Sequence, residues 1–217
     1  MDMSSLSQLF IYLHAGLGGI ALLAGTIALI AKKGNATHKK SGKVFYNSML
    51  SSALLALVIS VLPGHESPFL FAIGVFSSYF LLCGYRSLRF KRASVSLRFD
   101  KFLAYGIIVT GILMIAYPLI SSGKLNIVLA VFGGASLIFG IRDLRLFRDL
   151  KRLRKSWLKL HLGKMMGGYI AAVSAFFVVN QVLPGLWNWF TPGVIGGAYI
   201  TYWMLKLNKH PSVKAKT

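Results

Sequence analysis

Residues 151–180 read KRLRKSWLKLHLGKMMGGYIAAVSAFFVVN, and this stretch decides the fold. It begins as a dense basic segment, passes through His161, and becomes an apolar run in which Gly168, Ala172 and Ala175 are small. A chain that crosses from the cytoplasmic surface into a bilayer shows this change from basic to apolar residues. The stretch therefore predicts a transmembrane helix with a histidine at its inner boundary.

The rest of the chain has the same character. Of its 217 residues 55% are hydrophobic, the mean hydropathy is +0.64, and 25 Lys and Arg against 5 Asp and Glu give a net charge of +20. In a soluble protein that charge would indicate nucleic-acid binding. Here the basic residues lie in short connections between apolar runs, so we expect the bilayer and its anionic inner-leaflet lipids as partners, and no nucleic acid.

Seven apolar runs predict an all-α bundle of seven transmembrane helices, formed as a single domain over residues 1–217. At 1.5 Å per residue, each run crosses most or all of a hydrocarbon core of about 30 Å. The first run follows no basic residue, so we expect it to be a retained span and not a cleaved signal. The runs are Leu9–Ala31, Val44–Leu62, Phe69–Tyr85, Phe102–Ile120, Leu125–Ile141, Leu162–Leu183 and Val194–Leu207.

The basic residues predict the orientation of these spans. They fall in alternate connections, and only Lys124 lies in one of the others. Connections enriched in Lys and Arg face the cytoplasm, so we expect the N-terminus outside and the C-terminus in the cytoplasm. The basic groups occupy residues 32–43, 86–101, 142–164 and 206–216.

Residues 142–160 predict a basic amphipathic helix at the cytoplasmic face. Apolar residues recur there at spacings of three and four, and Asp149 is spaced to pair with Arg145 and Arg152. Such a helix lies on the inner leaflet or extends the fifth span. Together with the other inner connections, it supplies the candidate lipid head-group residues Lys39, Lys40, Lys43, Arg145, Arg148, Arg152 and Lys164.

Two parts of the chain are similar to each other. In each, a span with a Gly-Gly pair leads through a basic loop with a histidine to a span that ends in Val-Leu-Pro-Gly. We interpret this as a parallel 3+1+3 repeat, with units 9–85 and 125–207 joined by the span 102–120. The alternative is that membrane helices share packing and turn chemistry.

No acidic residue is expected inside a span, because Asp2, Glu66, Asp100, Asp143 and Asp149 all read as terminal or loop residues. Carriers coupled to protons or sodium usually show an intramembrane carboxylate, so this absence disfavours that mechanism. The sequence has no phosphate-binding loop, no H-E-x-x-H motif and no nucleophile elbow. We therefore assign no catalytic residue and no metal site, and leave open whether the protein is an enzyme.

His14 lies inside the first span, and Gly18 and Gly25 follow on the same helical face. A face with small residues packs closely on other helices, so His14 is expected to point into the bundle. Tyr117 and Asn180 are expected at a similar depth. The three are ligand-binding candidates, and the alternative is a structural hydrogen bond between His14 and such a partner.

His38 and His161 both stand at the inner boundary of a span. They are candidates for a metal or haem ligand pair, or for a cradle around an anionic head group. A b-type haem needs two imidazoles at one depth on facing helices, and His14 with His65 would be a second such pair. The alternative is two interfacial histidines in basic loops.

Three segments carry a resemblance to a known family: THKKSGKVFY (37–46), SPFLFAIGVFSSYFLLCGYRSLR (67–89) and HLGKMMGGYIAAVSAFFVVN (161–180). They resemble an uncharacterised family of bacterial multi-pass membrane proteins with a histidine in the first span, a basic His-x-x-x-Gly loop and a histidine that opens a late span. His14, His38 and His161 match those places, and His65 has no counterpart. The resemblance implies a multi-span fold in the bacterial cytoplasmic membrane and no particular activity.

We expect a membrane protein that binds or handles a small ligand, a lipid or an ion through its histidines and glycine faces. The alternatives from other classes are a redox protein that carries haem b, a transporter, and a non-catalytic scaffold or regulatory subunit.

Overall fold

The computed structural model describes residues 3–92 and 94–209, and all the regular secondary structure in those ranges is helical. The all-α prediction is confirmed for this part of the chain; Asp2, Lys214 and Lys216 lie outside it. The helices are α1 (Met3–Ile30), α2 (Ala36–Ile59), α3 (Pro68–Arg86), α4 (Arg98–Ser122), α5 (Ile127–Leu146), α6 (Leu150–Asn180) and α7 (Trp187–Lys209), with a 3₁₀ turn at Ser87–Arg89.

Six of these helices, α1 to α6, are long and apolar enough to cross a membrane. The seventh helix, α7, has 23 residues. Its mean hydropathy is lowered by Asn188 and by the glycines, tyrosines and tryptophans of the helix. Large apolar side chains also cover the outside of the bundle: Ile30, Ile120 and Val179 are each more than 80% exposed. Helices that are apolar all round belong in a lipid environment, so these features indicate a multi-pass membrane protein.

The helices pack as antiparallel neighbours around α3. Helix α1 packs along α2, α4 along α5, and α6 along α7, while α3 contacts α2, α4 and α6. Helices α4 and α5 approach each other closely: a Cβ added at Gly111 would lie 2.8 Å from the carbonyl oxygen of Gly133, and the converse distance is also 2.8 Å. These glycines therefore hold the two backbones in direct contact.

The segment 142–160 differs from its prediction, because it is not one helix. Helix α5 runs to Leu146, and α6 starts at Leu150 after a turn of three residues. Asp149 caps α6, since its Oδ1 accepts a hydrogen bond from the backbone N–H of Arg152 at 2.9 Å. Its carboxylate forms neither of the two ion pairs found in residues 3–92 and 94–209, so the expected pairing with Arg145 or Arg152 is wrong.

Two carboxylates that were expected in loops lie inside helices and are buried. Asp100, in the first turn of α4, is 1% exposed and makes a bidentate contact with Arg86, at 2.7 and 2.6 Å. Asp143, in the last turn of α5, is 6% exposed and pairs with Lys164. Each buried carboxylate has a basic partner on another helix, which offsets the cost of its burial.

The basic connections gather at one end of the bundle. There Lys33, just after α1, lies 5.4 Å from the ring centroid of Trp203 on α7, and Lys91 lies 5.7 Å from that of Trp157 on α6. At the same end, Lys159 on α6 donates a hydrogen bond to Asn208 on α7 at 2.5 Å. We call this end of the molecule the basic end.

Candidate functional site: a groove between α5, α6 and α7

Helices α5 and α6 are joined by a short turn at the basic end, yet they barely touch each other beyond it. Helix α5 packs on α4, and α6 packs on α3 and α7, so the two helices are drawn to opposite sides. A long groove opens between them, with α5 as one wall, α6 and α7 as the other, and α3 at its floor. Its volume is about 1260 Å³, larger than the roughly 300–1,000 Å³ of most small-molecule pockets.

Aromatic rings form the floor of the groove. Phe80 of α3 lies edge-on to Phe76 at 4.8 Å and to Phe139 of α5 at 5.0 Å, and Phe76 meets Phe132 at 5.1 Å. Trp189 continues the row at the far end, 6.1 Å from Phe132. Most of the groove is therefore an apolar trough that suits hydrocarbon.

The wall formed by α7 is open where its glycines face the groove. Gly193 and Gly197 are spaced by one helical turn, and a Cβ added at either would meet no atom within 4 Å. Some glycines at helix contacts, such as Gly111, have no such space. The groove therefore has room for a molecule beside α7 that the described part of the chain does not fill.

Basic side chains line the groove at the basic end. Of the predicted head-group residues, Arg145, Arg152 and Lys164 line it, and Arg142 and Lys159 join them. The other four predicted residues, Lys39, Lys40, Lys43 and Arg148, are exposed and are not among the residues that line this groove. The groove thus combines an apolar length with a positively charged end.

A buried polar triad lies where the charged and apolar parts of the groove meet. Lys164 Nζ contacts Asp143 Oδ2 at 2.7 Å, Tyr79 donates its hydroxyl to the same oxygen at 2.6 Å, and Lys164 also bonds the Tyr79 hydroxyl. The lysine ammonium lies 4.0 to 5.5 Å from the ring centroids of Tyr79, Phe80 and Phe139. Both Lys164 and Asp143 line the groove.

His14 ties α1 to α2. Its Nδ1 lies 2.8 Å from the carbonyl oxygen of Ser52 and 2.9 Å from the Ser52 hydroxyl, which in turn donates to the carbonyl oxygen of His14 at 2.9 Å. This reciprocal contact uses the hydroxyl and the carbonyl oxygen of Ser52. His14 therefore links α1 to a residue of α2 that lies 38 positions further along the chain.

His38 and His161 are each held by a backbone carbonyl. Their Nδ1 atoms each contact a backbone carbonyl at 2.9 Å, His38 that of Ala28 and His161 that of Gly84. Both residues lie at the basic end, His38 in the first turn of α2 and His161 in α6 beyond its basic segment. Among the described residues no hydrogen bond reaches either Nε2.

Tyr117 and Asn180 are not partners of His14. Asn180 is exposed and bonds the carbonyl oxygen of Phe176 in its own helix at 2.8 Å. Tyr117 is 51% exposed and lines a shallow depression near the α4–α5 connection. The structure therefore places His38 and His161 at the same end of the bundle and leaves His14, Tyr117 and Asn180 apart from one another.

Sequence reasoning missed Tyr79 and Asp143. In the sequence, Asp143 is a single aspartate beside arginines at the end of an apolar run. This pattern is equally typical of a loop residue. Within residues 3–92 and 94–209, no three His, Cys, Asp or Glu side chains are grouped so as to hold a metal ion.

The fold and site define a multi-pass, all-helical membrane protein with a lateral groove. No family model matches the sequence, and no curated protein and no solved structure matches it. The resemblance of residues 37–46, 67–89 and 161–180 to a bacterial family stays a prediction.

Proposed function

We propose that this protein binds a phospholipid with an anionic head group in the groove between α5, α6 and α7. The observation that carries the proposal is the groove itself, about 1260 Å³ in volume, apolar along most of its length and basic at one end. An acyl chain would lie on the floor made by Phe76, Phe80 and Phe132. The head group would meet Arg145 and Arg152.

Charge favours an anionic occupant. Five basic side chains and the two carboxylates of Asp143 and Asp149 line the groove; Lys164 and Asp143 pair with each other, which leaves four basic groups against one carboxylate. Arginine is suited to phosphate because its guanidinium can donate two parallel hydrogen bonds. The groove opens sideways, between helices whose outer faces are apolar, which suits a ligand that enters from the bilayer.

We further propose that all seven helices span the bacterial inner membrane, with the basic end in the cytoplasm and the N-terminus outside. The gathering of the basic connections at one end supports this orientation, because Lys and Arg are retained on the cytoplasmic side. In this orientation the basic part of the groove faces the inner leaflet, where anionic lipids are concentrated.

The proposed repeat of units 9–85 and 125–207 gives the groove a structural origin. In the first unit α1 packs extensively against α2, whereas in the second the equivalent helices α5 and α6 diverge. The glycine face of α5 is used against α4 instead, through Gly133 and Gly140. On this proposal the groove is the unfilled counterpart of the α1–α2 contact.

The test is lipid retention measured by native mass spectrometry from nanodiscs that contain equal amounts of phosphatidylglycerol and phosphatidylcholine. We expect the wild-type protein to retain phosphatidylglycerol, and Gly197→Leu to retain much less, because leucine would project into the groove. Arg145→Gln should reduce the preference for phosphatidylglycerol.

Two matched variants control for these effects. Gly19 on α1 also has open space around it and does not line the groove, so Gly19→Leu should leave retention unchanged. Arg148→Gln removes an arginine from the same segment as Arg145 but outside the groove. Equal retention of both lipids by the wild type would overturn the proposal. A wild-type dimer that dissociates in Gly197→Leu would also overturn the proposal, because a second copy of the chain would then occupy the groove.

A second candidate function is redox chemistry with haem b, favoured by the shared geometry of His38 and His161. Histidines that bind a metal usually donate their other ring N–H to a carbonyl or carboxylate, and both residues have such a carbonyl. Iron bound by two imidazoles would supply one-electron transfer. The test is a Soret band after reconstitution with haemin, lost in both His38→Ala and His161→Ala; no band in the wild type would exclude this function.

A further inference from the structure

The triad of Lys164, Asp143 and Tyr79 lies at the boundary between the two parts of the groove, where a bound amphiphile would place its charged group. Lys164 is 5% exposed and Asp143 is 6% exposed, and both still line the groove. Arg145 and Arg152, in contrast, are exposed on the rim. The triad is therefore the charged group nearest to the apolar floor.

The ammonium of Lys164 retains a donor that its partners do not use. It has three N–H groups, and its contacts with Asp143 and Tyr79 account for two of them. The faces of the Tyr79, Phe80 and Phe139 rings also lie beside it, and an aromatic face is a weaker acceptor than an oxygen. A phosphate or carboxylate oxygen at this place would complete the coordination of the ammonium.

Asp143 occupies the position of a resident counter-ion. Its Oδ2 accepts both from Lys164, at 2.7 Å, and from the Tyr79 hydroxyl, at 2.6 Å. Removing one member of a buried ion pair leaves the other charge uncompensated, so the Asp143 carboxylate offsets the cost of burying the lysine. An incoming anion would compete with this carboxylate for the same ammonium and would be repelled by its charge.

We propose that Lys164 binds the anionic group of the groove ligand and that Asp143 is an internal competitor which sets the affinity of the site. This inference rests on the proposed lipid-binding function and names the residue that selects for charge. Tyr79 is a positioning residue, because it holds the Asp143 carboxylate beside the lysine.

The proposal predicts opposite effects from the two members of one ion pair. Lys164→Met should weaken phosphatidylglycerol binding by at least about tenfold, the order expected for one lost charge-assisted hydrogen bond, and Lys164→Arg should retain binding. Asp143→Asn should strengthen binding about tenfold, because it removes the competing charge and keeps the shape. Phosphatidylcholine binding should change little in any of these variants.

The experiment titrates each purified variant with phosphatidylglycerol in mixed micelles, using only variants that keep the wild-type elution volume and helical circular dichroism. If the ion pair is merely structural, Lys164→Met and Asp143→Asn bind like the wild type, which overturns the inference and leaves lipid binding intact. If the wild type itself shows no preference for phosphatidylglycerol, the proposed function fails instead. Should Asp143→Asn not fold, equal affinities of Lys164→Met and Lys164→Arg would still overturn the inference.

Discussion

The Nζ of Lys164 and the Oδ2 of Asp143 lie 2.7 Å apart and join α6 to α5, two helices that otherwise hardly touch. Tyr79 of α3 contacts both groups, so three helices meet at this point. Within residues 3–92 and 94–209, no other side-chain hydrogen bond or ion pair joins α5 to α6. The pair therefore ties the two helices together beyond their short turn.

Replacing both members of this pair should cost less than the sum of the two single replacements. Lys164→Met or Asp143→Leu alone leaves a buried charge without its partner and should cost about 3–5 kcal/mol of unfolding free energy. The double variant removes both charges, so its cost should fall below the sum by about 1–3 kcal/mol. Reversible unfolding in mixed micelles measures this coupling. Lys39→Met, at an exposed lysine, is the control, and additive costs would show that the two residues do not interact.

The helices were largely predictable, because hydrocarbon selects for long apolar runs and these runs are visible without tertiary information. The run 102–120, for example, lies within α4. Helix ends were less predictable. Apolar residues at spacings of three and four continue through 147–149, so the pattern hid the break that Asp149 marks by capping α6.

The site was harder to predict, since it depends on contacts between distant residues. Lys164 read as one more basic residue at the membrane boundary, while its partners lie 21 and 85 positions away along the chain. The groove arises from helices that fail to pack. Gly133 and Gly18 have similar sequence surroundings, and nothing in them shows that α5 turns its glycines toward α4.

The hydrogen bonds between His14 and Ser52 predict a purely structural role for His14. Because the two residues exchange hydrogen bonds between α1 and α2, His14→Ala should cost about 1–2 kcal/mol of unfolding free energy. Phosphatidylglycerol binding by the folded variant should not change, since His14 does not line the groove. His65, in an exposed turn, provides the matched control. A loss of lipid binding without a loss of stability would show that His14 contacts a ligand instead.

Replacing each of two glycines of α4 by alanine should change the unfolding free energy in opposite directions, because their surroundings differ. In Gly111→Ala the new Cβ would lie 2.8 Å from the Gly133 carbonyl oxygen and 2.9 Å from the Ser136 Cβ, so α4 and α5 must separate, at a cost of about 1–3 kcal/mol. A Cβ at Gly106 meets no atom within 4 Å, so Gly106→Ala should stabilise the helix by up to about 1 kcal/mol. Unfolding in mixed micelles compares the two variants directly. Equal effects would mean that α4 and α5 do not touch at Gly111.

The carbonyl contacts of His38 and His161 predict the tautomer of each ring. A carbonyl oxygen can only accept a hydrogen bond, so each Nδ1 must carry the proton, and the neutral ring then has an unprotonated Nε2. Ring ¹⁵N chemical shifts of labelled protein at alkaline pH distinguish this tautomer from its opposite, and the exposed His65 serves as the internal reference. Loss of the Nδ1–H signals in His38→Ala and His161→Ala assigns them. A proton found on Nε2 would contradict the carbonyl contacts, and it would also remove the free lone pairs that haem ligation at this pair requires.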